Sequence, residues 1–536
     1  MHSKLSPGKK RLLLGAASAV AVTGLTVTPA IAGLTNIFDN PPAAGFRNIS
    51  GPNTLVPPYV VGSSDAVTIQ SLLTTGDAGV SGYNMAGVPD ALALWKISNN
   101  SAVLLMNHEL QPAQGLVRAH GQKGAFVSRW ILKSDGSLVS GGDLIKSVKF
   151  WTGSGWASSP TVAGDIAAFN RFCSGSLATP GQLRYNTLSS RYGVTDPIYF
   201  AVEEGGNESR VFAVNVNSGE ALELPDLGRA SWENVTVAPT TPSLKTITIG
   251  NEDGSDDKSQ VWVYSGTKKT SGNFAERTGL TGGSSYVMRI NDADGNRVAT
   301  DTIFRSKYTK GQAAPFTLAA IDTTKTGTAQ NTQADLVGTG LSRVEDGHFD
   351  PNNPNVYYFI TTQGGPSNGV MTSGGLWKMV FNDINNPLAG GTVTLLLDNT
   401  SLPSYNGTTG PAMNKIDNLV VDSKGNILIQ EDPGNNAVIS RIFAYRISDG
   451  AFAEIARFDA NRFTPGGPQF ITQDEESSGI IDASELLGPN TYLFDAQVHS
   501  AKELTPGTGK GKAEELVEGG QLLRLTVSNW TTIYGS

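Results

Sequence analysis

The chain has 536 residues, of which 39% are hydrophobic and 16% are charged. This length and composition exclude a disordered protein and allow a large core. The formal net charge of −8 argues against nucleic acid or an anionic membrane surface as partner, because both require clustered lysine and arginine.

The first segment of the chain has the pattern of an export signal. Lys9, Lys10 and Arg11 precede the apolar run LLLGAASAVAVTGLTV, and AIA at positions 30–32 supplies small residues for cleavage. We therefore predict a signal peptide over residues 1–32 and a mature protein that is secreted or periplasmic. No later segment approaches the ~20 continuous apolar residues of a membrane helix, so no integral membrane segment is expected after cleavage.

Short, β-prone apolar runs follow one another along the mature chain. Abundant glycine and proline, and turn sequences such as SDG, NSG, PNNP and DSKGN between the runs, favour strands and turns over helices. The runs are, in chain order, AVTIQSLL, VLLMNHE, DPIYFAVEE, RVFAVNV, KTITIGNED, SQVWVYSG, NVYYFITT, GNILIQED and NTYLFDAQ. We predict an all-β fold.

One unit recurs in this pattern: a charged residue, a short apolar run, a polar turn, and a strand that ends in polar or acidic residues. Its copies begin near Glu233, Glu345, Asp417 and Glu476. Imperfect repetition of one supersecondary unit is typical of a β-propeller. We predict that residues 33–536 form a single propeller domain with loop insertions, one of them near residues 265–340.

A propeller brings equivalent strand ends to one channel mouth, so acids that are distant in sequence can meet there. The candidate acids lie at strand margins; they are Glu109, Glu204, Glu233, Glu252, Asp253, Glu345, Asp417, Glu431 and Glu476. Clustered carboxylates repel one another unless cations neutralise them, which predicts bound metal. Carboxylate oxygens favour Ca²⁺ and then Mg²⁺, whereas a thiolate favours iron or zinc. The alternative is that each acid is a solvated turn residue.

The one cysteine, Cys173, cannot form a disulfide within the chain. Its polar neighbours in NRFCSG leave two interpretations open, a buried small hydrophobe or a metal ligand. The triplet NHE ends a strand at Glu109 and can supply ligands, and His348 and His499 are candidates for hydrogen bonds to them. The chain lacks the CxxC, HExxH and phosphate-binding loop motifs, which argues against zinc-protease chemistry.

Eight motifs in order resemble the PhoX-type alkaline phosphatases over roughly residues 85–530. The motifs are NHE, FCSG followed by TPGQ, EEGG, GRASWEN, NEDG, RVEDGHFDP, DNLVVDSKGNILIQED and ESSGIIDAS. The resemblance implies a six-bladed propeller whose channel mouth holds iron (Fe³⁺) and calcium (Ca²⁺) and hydrolyses phosphate monoesters. It also implies that Cys173 is the thiolate ligand of iron and that Arg343 holds the substrate phosphate. The carboxylate ligands implied by it are among Glu109, Glu204, Glu233, Glu345, Asp417 and Glu431.

The sequence thus predicts an exported, monomeric, metal-dependent phosphatase that acts on small phosphate esters. The family's CEE appears here as VEE, and its HE as Trp232-Glu233, so a phosphodiester or phytate stays open beside a monoester. Two other functions also stay open, a non-catalytic calcium-binding propeller that binds partners and a lactonase-like calcium-dependent hydrolase. Cys173 together with Arg343 and Glu345 favours the phosphatase over both.

Overall fold

The computed structural model describes residues 47–77, 81–239, 243–362, 374–398, 413–435 and 438–535. The predicted signal peptide lies outside these residues. Strands dominate the described ranges and the helices are short, so the all-β prediction is confirmed. None of the helices in these ranges is long and apolar enough to cross a lipid bilayer.

The strands are numbered in chain order. Those of the first half are β1 (Arg47–Ser50), β2 (Val60–Gly62), β3 (Val67–Thr74), β4 (Pro89–Ser98), β5 (Ser101–His108), β6 (Phe126–Lys133), β7 (Leu138–Asp143), β8 (Ser147–Trp151), β9 (Trp156–Ala157), β10 (Phe172–Ala178), β11 (Arg184–Asn186), β12 (Arg191–Gly193), β13 (Ile198–Glu203), β14 (Val211–Asn215), β15 (Glu220–Glu223), β16 (Trp232–Val237) and β17 (Lys245–Glu252). Those of the second half are β18 (Val261–Thr267), β19 (Ser284–Ile290), β20 (Ala313–Ile321), β21 (Val344–Asp350), β22 (Asn353–Thr361), β23 (Gly375–Phe381), β24 (Gly391–Asp398), β25 (Ile416–Val421), β26 (Asn426–Glu431), β27 (Arg441–Arg446), β28 (Phe452–Phe458), β29 (Glu475–Asp482), β30 (Thr491–Val498) and β31 (Gly519–Val527).

Most helices lie in the connections between strands, and the last one follows β31. The helices are α1 (Phe274–Arg277), α2 (Asp301–Lys307), α3 (Gly327–Val337), α4 (Ala460–Phe463), α5 (Ser484–Leu487), α6 (Ala513–Leu516) and α7 (Trp530–Tyr534), with 3₁₀ turns at Pro225–Leu227 and Pro387–Ala389.

Most strands pair antiparallel with their neighbours along the chain, in sets of about four. The sheet orders in the described ranges are β4-β5-β6-β7, then β10-β13-β14-β15-β8-β9, then β25 to β28 with β2, and β29 to β31 with β3 and β1. A nine-stranded sheet holds the sets β16 to β19 and β21 to β24, and β20 pairs with both β19 and β24 to join them. The hairpin β11–β12 stands apart.

The first strands of these sets surround a central channel. Strands β4, β10, β16, β21, β25 and β29 each contact the next in this order, and β29 contacts β4. The N-terminal strands close the ring, because β3 pairs with β31 and β2 pairs with β28. This arrangement is propeller-like, as the repeats predict.

Large apolar side chains fill the spaces between neighbouring sheets. One cluster contains Phe200 of β13, Trp232 of β16 and Trp262 of β18, all buried. Replacing such a buried tryptophan with alanine costs about 3–5 kcal/mol in a packed core. The sets are therefore fixed relative to one another by burial, which holds the channel strands in register.

The stretch near residues 265–340, which the sequence predicts to be an insertion, contains one strand of the four-strand pattern and several elements outside that pattern. Strand β19 pairs with β18 as the fourth strand of its set. Helices α1, α2 and α3 and strand β20 are additional to the four-strand pattern.

Candidate active site

The second residue of every channel strand is an acid or the cysteine. We call these six the ring residues; they are Asp90 on β4, Cys173 on β10, Glu233 on β16, Glu345 on β21, Asp417 on β25 and Glu476 on β29. In five of the channel strands, the register of pairing with the neighbouring strand changes at this residue. In β29 the register changes between Ser478 and Ile480. Such irregularities redirect a side chain away from the ordinary pleat. All six residues thus lie at one mouth of the channel.

Five ring residues and two acids that follow neighbouring strands form one continuous cluster. Three groups have ligand atoms within 4.8 Å of one another: Asp90, Glu109 and Cys173; Cys173, Glu204 and Glu233; and Glu233, Glu345 and Asp417. The groups share Cys173 and Glu233, and we call them together the thiol-carboxylate cluster. Cys173 Sγ donates to Asp90 Oδ2 at 3.4 Å.

The second strand of each set runs back towards the same mouth, and in five of the six sets the residue that follows it is an acid or a histidine. Glu109 follows β5, Glu204 follows β13, Asp253 follows β17, Asp432 follows β26 and His499 follows β30. These residues surround the ring residues as an outer layer.

Two acids that the sequence predicts as ligands, Glu252 and Glu431, point away from the cluster. Glu252 accepts from the indole nitrogen of Trp262 at 2.9 Å. Glu431 accepts from Arg441 Nε at 2.9 Å and from Arg441 Nη2 at 2.8 Å. Both carboxylates are therefore hydrogen-bonded to a residue at the start of the third strand of their set. Neither carboxylate belongs to the three groups.

The cluster has acceptor atoms that nothing in the described chain satisfies. Asp90 Oδ1, Glu233 Oε1 and Asp417 Oδ1 are buried and accept no hydrogen bond from the described residues. Burial, reinforced by neighbouring carboxylates, raises the pKa of these three groups well above the usual range, and burial raises the pKa of the Cys173 thiol. Burial together with Asp432 raises the pKa of Glu476 to about 8.

This donor set fits metal ions. Bound cations stabilise the charged form of buried carboxylates and coordinate the carboxylate oxygens that accept no hydrogen bond. Oxygen-rich surroundings suit Ca²⁺, and one thiolate among them suits a more polarising metal such as iron.

Two arginines lie beside the cluster in an unusual backbone conformation. Arg171 and Arg343 stand two residues before the ring residue of their strands, with φ of 44° and 54°. Val88 and Lys415 hold the same position in β4 and β25, with φ of 49° and 51°. Non-glycine residues in this left-handed region are strained, and such strain concentrates at functional sites.

Both arginines are anchored by carboxylates while keeping part of the guanidinium accessible. Arg343 donates through Nε and Nη2 to the two oxygens of Asp253 at 2.8 and 2.7 Å. Arg171 Nε donates to Glu109 at 2.7 Å, and its Nη2 lies 2.7 Å from Glu204. In neither arginine does Nη1 donate to another described residue, and the side chains are 29% (Arg343) and 43% (Arg171) exposed. Burial lowers the guanidinium pKa values, but the adjacent carboxylates outweigh it and raise them.

A glutamine that the sequence analysis did not single out connects one end of the cluster to the ring residue Glu476. Gln497 Nε2 lies within hydrogen-bond distance of Asp90 Oδ2 at 3.0 Å, Glu109 Oε2 at 3.3 Å and Glu476 Oε1 at 3.4 Å. His499 bonds to Glu518 at 2.9 Å, and its Nε2 lies 3.8 Å from Glu476. A cleft of about 330 Å³ opens between these residues and Arg171.

The other polar candidates have structural contacts. His108 bonds to Gly87 O and to the Ser128 hydroxyl, and burial lowers its pKa to about 3. Asn107 Nδ2 donates to the carbonyl of Cys173 at 2.7 Å and so fixes the start of β10. His348 lies in the wall of the channel, towards its other end.

Asp90 and Arg171 are the main residues that the sequence analysis missed. Arg171-Phe172-Cys173 and Arg343-Val344-Glu345 share one pattern, an arginine two residues before the ligand. That shared spacing could have identified Arg171. Asp90 follows a Val-Pro pair and has no comparable sequence signal.

Solved structures resemble this fold at low sequence identity. Pseudomonas fluorescens PhoX in complex with vanadate, a transition state analogue, matches with a TM-score of 0.58 and 12% identity, covering 90% of this chain and 98% of that one. An α-L-arabinanase from Penicillium chrysogenum complexed with arabinobiose matches with a TM-score of 0.37 and 11% identity, covering 84% of this chain and 98% of that one. A search of curated sequences found no match.

The family comparison is more specific. The family model described as alkaline phosphatase PhoX matches residues 182–480, which is more than half of the chain. The resemblance drawn from the eight motifs is therefore confirmed. The chain belongs to the alkaline phosphatase PhoX family and is a phosphoric ester hydrolase.

Proposed function

We propose that this chain is an exported, metal-dependent phosphatase with a six-bladed propeller, and that it hydrolyses phosphate esters at the thiol-carboxylate cluster. The observation that carries the proposal is the convergence of the ring residues, with unsatisfied buried carboxylate oxygens, beside two partly exposed arginines. The N-terminal export pattern supports the location.

Iron and calcium are the metals proposed for this cluster. Cys173 would hold iron, with carboxylates of the two groups that share it, and Glu345 and Asp417 belong to the group suited to calcium. When bound, such ions polarise the phosphoryl oxygens and lower the pKa of water that attacks phosphorus. Buried carboxylates with raised pKa values are then held in their charged form.

The arginines would bind the phosphoryl group. Arg343 keeps Nη1 available while Asp253 fixes the plane of its guanidinium. Charge-assisted donors in a fixed orientation stabilise the negative charge that grows on the equatorial oxygens. Arg171, anchored by Glu109 and Glu204, offers a second donor on the other side of the cluster.

The test is a substrate comparison on protein whose metals are measured in the same sample. An aryl phosphate, an aryl phosphodiester and an aryl lactone analogue are assayed in parallel. We expect phosphate ester turnover that is abolished by chelation. Lactone turnover alone would favour the lactonase-like alternative, and no turnover with calcium as the only metal would favour a binding module.

A further inference from the structure

A small pocket lined by three arginines lies away from the thiol-carboxylate cluster. Arg184 on β11, Arg191 on β12 and Arg277 at the end of α1 line a cavity of about 230 Å³. Tyr192 and Asp196 also line it. We call this cavity the arginine pocket.

The arginine pocket is at the opposite end of the strands from the metal cluster. Strand β10 begins beside the cluster at Phe172 and ends at Ala178, and β13 returns from Ile198 to Glu203. The β11–β12 hairpin connects their far ends. At ~3.3 Å per strand residue, the separation is roughly 20 Å.

The three arginines lack the partners that arginines in this acidic chain usually have. None of them forms an ion pair or a side-chain hydrogen bond with another described residue, whereas Arg171, Arg210, Arg229, Arg343 and Arg441 each pair with an acid. Arg184 and Arg191 are exposed, and Arg277 is half-buried. The Nε atom of Arg277 is also buried without an acceptor. An unsatisfied buried donor is unfavourable, so this atom is suited to an acceptor from outside the chain.

The pocket carries a net charge of about +2. Asp196 is its one acid among the described lining residues, and Oδ1 of Asp196 already accepts from Asn217 at 2.6 Å. The three guanidinium groups and one carboxylate therefore carry the net positive charge that would neutralise a phosphate dianion. Guanidinium groups match phosphate oxygens in geometry as well as charge.

The backbone holds the pocket walls together. Gly193 N donates to Lys269 O at 3.1 Å, and Lys269 N donates to Arg277 O at 2.8 Å. A capping box between Asn273 and Glu276 fixes the start of α1. The hairpin and the helix end are thus joined before any ligand arrives.

We propose that the arginine pocket is a second, non-catalytic binding site for a phosphate dianion, either free orthophosphate or the phosphomonoester headgroup of a lipid. The proposal rests on the unpaired guanidinium groups, the buried Arg277 Nε and the net charge. It does not depend on which ester the metal cluster hydrolyses.

The test compares the metal-loaded wild type with Arg184→Ala/Arg191→Ala. Orthophosphate binding is measured by titration calorimetry at constant ionic strength, and orthophosphate inhibition of turnover reports the catalytic site separately. Lys310→Ala/Lys510→Ala, which removes two exposed charges outside the pocket, is the matched control. Co-sedimentation with phosphatidylcholine vesicles, with and without phosphatidic acid, tests the lipid source.

We expect the double arginine variant to bind orthophosphate or phosphatidic acid vesicles at least about tenfold more weakly at the second site, with unchanged turnover and inhibition constant. Arg277→Gln should weaken the same site. Loss of vesicle binding alone identifies the headgroup as the source, and loss of the second orthophosphate site alone identifies the free ion. Binding of both probes equal to that of wild type, or equal losses in the lysine control, would overturn the proposal.

Discussion

The Arg343 guanidinium pairs side-on with the Asp253 carboxylate through two parallel hydrogen bonds of 2.8 and 2.7 Å. This geometry restrains the rotation of the guanidinium before any substrate binds. Because the pair uses Nε and Nη2, the remaining Nη1 can donate to a ligand at no cost in reorientation.

Removing Arg343 should separate substrate binding from metal binding. We expect Arg343→Ala to lower kcat/KM for an aryl phosphate by roughly tenfold to a thousandfold, because a charge-assisted donor is lost where negative charge develops. Arg343→Lys should recover only part of this, since a lysine cannot pair side by side with Asp253. Metal content, measured by elemental analysis, should stay unchanged in both. Full activity in the alanine variant would assign Arg343 to an ordinary surface ion pair.

Cys173 should determine the iron content. Cys173→Ala removes the one thiolate, so we expect loss of iron and of phosphatase activity together, with part of the calcium retained. Asp90→Asn, which removes the partner of the thiol, should reduce iron as well. Elemental analysis of the wild type that finds calcium without iron, or phosphate hydrolysis by the iron-free variant, would contradict the assignment.

Asp417 and Glu431 form a matched pair for testing the cluster. Asp417→Asn should reduce metal content and activity, because its unsatisfied Oδ1 lies in the cluster. Glu431→Gln should leave metal content intact and lower the free energy of unfolding by about 3 kcal/mol, because it removes the carboxylate charge that pairs with the buried Arg441 guanidinium. Denaturant unfolding and elemental analysis check both. Metal loss in Glu431→Gln with a normal unfolding curve would reverse the two assignments.

Removal of metal should make stability strongly dependent on pH. In the metal-free protein the pKa of Glu476 is about 8 in the folded state, against 4.5 in the unfolded chain. Between these two pH values the folded state holds a proton that the unfolded state has lost. Stability from this group is complete below pH 4.5 and declines by about 1.4 kcal/mol per pH unit until pH 8. The other buried ring carboxylates act in the same direction.

The measurement is the melting temperature in excess chelator between pH 5 and 8, compared with the metal-loaded protein. We expect the chelated protein to melt lower at every pH and to lose stability as the pH rises. The metal-loaded protein should show a much flatter profile. Identical curves with and without chelator would show that the cluster holds no stabilising ion.

The sequence predicted the strand pattern better than the direction of individual side chains. Glu203-Glu204, Glu252-Asp253 and Glu431-Asp432 are consecutive acids at the end of a second strand. Successive strand residues point in opposite directions, so only the second acid of each pair faces the channel mouth. A shift of one residue cannot be detected from the acids themselves, so the sequence also predicts Glu252 and Glu431 as ligands.

The repeats mark the channel strands where the local sequence is regular. The copies begin at or near four ring residues, Glu233, Glu345, Asp417 and Glu476, because each starts a channel strand with the same polar-to-apolar transition. Asp90 cannot be identified in the same way, because its direction depends on a register shift in the pairing of β4 with β5. Tertiary pairing of this kind leaves little trace in a single sequence.

The pairing of β3 with β31 joins residues 67–74 to residues 519–527. Residues 519–527 must therefore be synthesised before this sheet can form, and until then β30 presents an open edge. Glu476 belongs to this same sheet, because β29 pairs with β30 and β30 pairs with β31. A cut within β31 would leave that sheet without its closing strand, and we expect such a protein to bind metal poorly and to aggregate through the exposed edge.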